Sequence, residues 1–147
     1  MTSPTSDKDL LALFDARMRA TAEPDEPGAR IERADGVVRQ VGAGPRDWHG
    51  VVYSELDAAT ADAAIAAQIG YFGALHGPGS EFEWKAYRHD RPADLGARLT
   101  AAGFDAGEPE TLFVAEITRL ADGLPDRPPA GVTLRPVTAA ADADLVA

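Results

Sequence analysis

The chain opens with a helical pattern. A capping side chain at Ser6 or Asp7 precedes Leu10, Leu11, Leu13, Phe14 and Met18, spaced so that they share one face of a short amphipathic helix. The two prolines of Ala22-Glu23-Pro24-Asp25-Glu26-Pro27-Gly28 cannot propagate it, so that stretch is a loop. Ala29 to Ala34 and Val37 to Val41 flank Asp35-Gly36, a dipeptide that tolerates positive φ, and together they predict a hairpin. Beyond the Gly42-Ala43-Gly44-Pro45-Arg46-Asp47 loop, Val51, Val52 and Tyr53 place a strand within Trp48 to Leu56. Ile65, Ile69 and Phe72 then recur at i, i+4 and i+7, which makes Asp57 to Leu75 the longest helix. On that helix Ala63, Ala67, Gly70 and Ala74 form a second face of small residues, suited to close approach by a sheet or helix.

After His76-Gly77-Pro78-Gly79 the period changes to two. Phe82, Trp84 and Ala86 alternate with Glu83, Lys85 and Tyr87, so Glu81 to Tyr87 is a strand with Trp84 on its core face. A further helix starts near Pro92, carries Leu95, Leu99 and Ala102 on one side and stops at Gly103, with Phe104 folding back on its last turn. Thr111 to Ile117 is another strand. Arg119 to Ala130, with Gly123, Pro125, Pro128 and Pro129, is a linker, so 1–118 and 119–130 divide as domain and connection. Val132 to Val137 is a strand, and Thr138 caps a helix barely begun at Ala147. The expectation is the front part of a longer protein, with 131–147 opening a second domain.

Composition narrows the function. The hydrophobic share of 45% includes 29 alanines, so the core must be small and closely packed. A net charge of -10 argues against nucleic-acid backbones and anionic membranes as partners. The absence of cysteine excludes disulfides, thiolate metal sites and thiol nucleophiles. No apolar run approaches the length of a membrane span and no leader is evident, which predicts a cytoplasmic protein. The three histidines, His49, His76 and His89, share no spacing suited to joint metal coordination, so no metal site is expected. Ser54 and Ser80 lack the Gly-x-Ser-x-Gly setting of a hydrolase nucleophile. Lys85, Tyr87, His89 and Asp90 cluster at a strand end, where open sheets tend to bind ligands, and are the candidates for a pocket.

The order strand, long helix, strand, helix ending in Gly-Phe, strand over Trp48 to Ile117 resembles the second half of the GNAT acetyltransferase fold. Leu99-Thr100-Ala101-Ala102-Gly103-Phe104 is similar to that family's end-of-helix signature. Phe82-Glu83-Trp84-Lys85-Ala86-Tyr87-Arg88-His89-Asp90-Arg91-Pro92-Ala93-Asp94-Leu95-Gly96 resembles the N-terminal module of actinobacterial tandem GNAT proteins. Val132-Thr133-Leu134-Arg135-Pro136-Val137-Thr138 is similar to the opening of their second domain. The resemblance implies a three-layer α+β fold, a mixed, mostly antiparallel sheet flanked by helices. It also implies transfer of acetyl from acetyl-CoA to a small amine, with a C-terminal GNAT domain as partner. A sheet edge left uncovered without that domain would expose apolar surface and promote a homodimer.

The family holds the cofactor pyrophosphate on the backbone amides of an R/Q-x-x-G-x-G/A loop at a helix N-terminus. Arg39-Gln40-Val41-Gly42-Ala43-Gly44 satisfies that pattern through Arg39, Gly42 and Gly44, but Pro45 and a strand follow where a helix is needed. At the expected position, Leu56-Asp57-Ala58-Ala59-Thr60-Ala61, there is no glycine, and the position of the family's tyrosine acid holds Leu99. The module is therefore expected to lack catalytic residues and to bind no cofactor itself. A stand-alone small-ligand or protein-binding module with a degenerate GNAT fold is the alternative, and a working Arg39–Gly44 cofactor loop a third reading.

Overall fold

The computed structural model describes residues 6–77, 80–114, 117, 123, 125 and 127–134. The chain divides into two compact units, 1–109 and 110–147. The first is a mixed α+β unit whose four strands run in the order β1-β2-β3-β4.

Helix α1 (Asp7–Phe14) begins as its sequence predicts. Ser6 caps it by accepting from the Asp9 amide, and Asp9 reaches back to the Ser6 amide, a reciprocal box. The helix then widens into one π turn, Asp15–Arg19, where the Ala20 amide bonds the Asp15 carbonyl at 2.7 Å. That turn shifts the phase of the face by one residue. Arg19 is 3% exposed, whereas Met18, the residue expected inward, is 68% exposed.

Strands β1 (Arg30–Ala34) and β2 (Val37–Val41) form the expected antiparallel hairpin, turned by Asp35 at φ 55° and Gly36 at φ 75°. All five residues of β2 are buried, polar Arg39 and Gln40 included, because this strand is central. β3 (His49–Ser54) pairs antiparallel to β2 with a bulge that leaves Val52 unmatched. β4 is parallel to β3 through a helical crossover. It spans only Glu83–Trp84, shorter than the alternation over Glu81 to Tyr87 predicts; Lys85 adds one further bond to the Val51 carbonyl at 2.9 Å, and Ala86 is exposed. Gly50 permits the β3–β4 approach, since a Cβ there would lie 2.7 Å from the Glu83 carbonyl oxygen.

Helix α2 (Ala61–His76) lays Ala61, Ala64, Ile65, Gln68 and Phe72 on the interior. Its small-residue face does not pack as expected: Ala63, Ala67, Gly70 and Ala74 are exposed, and Ile69 and Leu75 sit half-out at 40% and 42%. Helix α3 (Leu95–Ala101) starts three residues after Pro92, buries Leu95 and Leu99, and leaves Ala102 exposed. Gly103 follows with φ 101°, and the Phe104 amide folds back to the Leu99 carbonyl at 3.1 Å. The core joins Val37, Val51 and Leu56 to Ala61, Ala64 and Ile65 of α2, Trp84 of β4, and Leu95 and Leu99 of α3. Trp84 is thus a core residue, as its alternation predicts.

In the second unit, the described residues 110–114 and 127–134 contain neither helix nor strand. The strands expected over Thr111 to Ile117 and Val132 to Val137 are therefore absent from Thr111–Val114 and Val132–Leu134, whose apolar side chains are exposed. Among the described residues no strand lies beside these runs in register, and a β-favouring run without one has no ladder to join. The helix expected from Thr138 and most of the 119–130 linker lie outside the described residues.

Candidate functional site

The site grows around Arg19, which the π turn delivers to the interior. Its guanidinium meets Asp90 in a two-pronged pair, NH1 to Oδ1 and NH2 to Oδ2, both at 2.7 Å. NH1 also bonds Asp15 Oδ1 at 2.7 Å. Nε donates to the Val52 carbonyl at 3.1 Å, at the bulge, and NH2 to the Lys85 carbonyl at 3.3 Å. Burial works against the guanidinium's charge, but the hydrogen bonds and charges of Asp90 and Asp15 outweigh it and hold the group above its ordinary pKa. The Tyr87 ring lies 4.2 Å from the guanidinium carbon and the Tyr53 ring 5.2 Å. Phe14 meets Tyr87 edge-on at 5.3 Å. His89 Nε2 lies 2.8 Å from Asp15 Oδ2, and the Tyr87 amide donates to Asp90 Oδ2 at 3.0 Å.

A cavity of about 290 Å³ opens beside this network, lined by Asp15, Tyr53, Ser54, Glu55, Leu56, His89, Asp90 and Arg91. Of the four pocket residues expected from sequence, His89 and Asp90 line it, and Tyr87 stands behind them on Arg19. Lys85 contributes its carbonyl to Arg19, and its ammonium lies 2.8 Å from Glu83 and over the Trp48 ring. Sequence reasoning missed Asp15 and Arg19. The available signal was an acid and an arginine four apart at the end of an apolar stripe, but the π turn that turns them inward leaves no mark in the sequence.

A second network ties β1 and β2 to α2. Arg39 Nε and NH2 bond Glu32 Oε2 at 2.9 and 2.7 Å, NH1 bonds Gln68 Oε1 at 2.9 Å, and the guanidinium lies 3.4 Å from the centre of the Tyr71 ring. Burial would raise the Glu32 carboxyl, yet hydrogen bonds from Arg30, Arg39 and Tyr71 bring it down to about 2. The Arg39 side chain is therefore engaged in packing β1 and β2 against α2. In the loop beyond, the Gly42 amide donates to His49 Nδ1 at 3.1 Å and the Gly44 amide to the Asp47 carboxylate at 2.6 Å. With those donors occupied, a carboxylate in place and β3 following, Arg39, Gly42 and Gly44 do not fit a pyrophosphate.

His49 and His76, unrelated in spacing, come together with ring centroids 4.1 Å apart. His49 is 5% exposed, and its Nδ1 must stay unprotonated to accept from Gly42. Burial, then the nearby His76, pushes its pKa below the ordinary value. An unfolded chain therefore takes up this proton first on acidification, and the stability held above about pH 6.5 falls as pH drops through that value. We expect Tm to decline between pH 7 and 5, and His49→Asn, which keeps an acceptor without titrating, to flatten that decline in scanning calorimetry. An unchanged slope in the variant would remove His49 as its cause. Glu32 acts in a separate, lower window, from about 4.5 down to about 2.

Among the described residues no helix is long and apolar enough to cross a membrane. The chain matches no protein-family model, no curated protein and no solved structure.

Proposed function

We propose that residues 6–109 are the accessory, non-transferring module of a GNAT-type N-acetyltransferase, in which another domain moves acetyl from acetyl-CoA to an amine. The order of elements supports this: a hairpin, β3, α2, a parallel β4, and α3 closed by Gly103-Phe104. The observation that carries the accessory role is the junction between β3 and α2. There the Asp57 carboxylate accepts the Ala59 and Thr60 amides, each at 2.9 Å, together with the Thr60 hydroxyl at 2.9 Å. Those hydrogen bonds, the Thr60 hydroxyl's first, hold Asp57 below the usual carboxylate range. A fixed anion thus occupies the amides that a pyrophosphate would need, and its charge repels one.

Two measurements test the reading. Acetyl-CoA titrated into the 147-residue chain by calorimetry should give no saturable heat, and saturable micromolar binding would overturn the accessory role. The natural gene product carrying this chain should release free thiol from acetyl-CoA in the presence of primary amines. Failure of the folded protein to do so with any of a panel of amines would overturn the acetyltransferase reading.

A further inference from the structure

We infer that Asp15, His89 and Asp90 form a binding site for a divalent cation of the zinc type. Each offers one ligand atom, and the three atoms lie within 4.8 Å of one another. His89 Nε2 is 2.8 Å from Asp15 Oδ2 and 4.0 Å from Asp90 Oδ1. A tetrahedral ion with bonds of about 2.1 Å sets its ligands roughly 3.4 Å apart, so the present separations bracket the requirement. Imidazole with two carboxylates suits zinc and its neighbours in the first transition row better than magnesium.

The surroundings are those of a ligand shell. Arg19 donates to Asp15 Oδ1 and to both Asp90 oxygens at 2.7 Å, and the Tyr87 amide to Asp90 Oδ2 at 3.0 Å, so both carboxylates are fixed in place, with Asp15 Oδ2 turned to His89. Charge favours a cation, because two carboxylates face one guanidinium and Glu55 lines the same cavity. Ser54 supplies an independent sign. It lines this cavity, is 4% exposed, and its buried Oγ has no hydrogen-bond partner. A buried hydroxyl normally has one. Binding replaces the His89–Asp15 hydrogen bond: the imidazole carries its proton on Nδ1, and Nε2 gives its lone pair to the metal. Spacing along the chain could not reveal the set, since its ligands come from two segments 74 residues apart.

The test is calorimetric titration of Zn²⁺ into the metal-stripped chain, paired with thermal melts. One equivalent should bind saturably and raise Tm. His89→Gln, at a partly exposed position where folding is retained, should weaken binding by at least about tenfold, with Asp15→Asn as the second variant. His76→Gln should leave affinity unchanged, which separates this site from the His49–His76 pair. The proposal is overturned if no saturable binding occurs, if His89→Gln binds as the parent does, or if His76→Gln removes binding. In any of those cases the cluster is an ion-pair network only.

Discussion

Asp90→Ala should destabilise the first unit by about 3–5 kcal/mol, the range for removing one member of a buried, hydrogen-bonded ion pair. For a unit of this size that is a fall in Tm of at least about 12 °C. The magnitude follows from solvent exclusion: the side chains of Arg19 and Asp90 are 4% and 3% exposed. With Asp90 gone, the guanidinium keeps Asp15 but loses both prongs of its main partner, and the Tyr87 amide loses its acceptor. A surface pair would contribute only about 0–1 kcal/mol. The measurement is chemical unfolding of parent and variant in the presence of a chelator, so that no metal contributes. A loss below about 1 kcal/mol would mean that water reaches the pair and that it behaves as an exposed one. Arg19→Met combined with Asp90→Leu should recover part of the loss, because two apolar side chains leave no charge buried alone.

That pair also marks where the sequence was legible. Ser6, Asp35-Gly36 and Gly103-Phe104 act through their nearest neighbours, and each produced the cap, turn or helix end expected of it. Ile65 and Phe72 came inward because their helix is regular throughout. The first helix is not regular, and a single π turn exchanged Met18 for Arg19 at the interior position. A periodicity argument assumes constant pitch and cannot foresee that exchange. The pocket was half visible for a related reason. His89 and Asp90 follow a strand end, where open sheets tend to bind ligands, whereas Asp15 completes the site from a distant helix. Thr111–Val114, described without a strand, show the opposite limit: β-favouring residues form a strand only where another strand accepts their hydrogen bonds.

Phe72→Ala should be nearly as damaging, at about 3–5 kcal/mol, since the ring is deleted from a site with no exposure to collapse toward. Phe72 is 0% exposed and stacks on Phe82 at 4.4 Å, with the edge of Tyr71 at 5.2 Å and His49 at 6.1 Å. Phe82 in turn meets Phe104 at 5.1 Å, so the ring connects α2 to the strand and helix that follow it. Phe72→Leu keeps most of the apolar volume and should lose less than half as much, about 1–1.5 kcal/mol. The alanine variant has a second, independent readout. The space it leaves borders His49, whose low pKa arises first from burial. Water entering that space relieves the desolvation, so the His49 pKa should move back up toward the ordinary value near 6.5. The fall in stability between pH 7 and 5 should then be shallower in Phe72→Ala than in the parent, although the variant is less stable throughout. Parallel pH slopes for the two proteins would show that the aromatic packing does not keep His49 dry, and that its neutral form depends on the Gly42 hydrogen bond and the neighbouring His76.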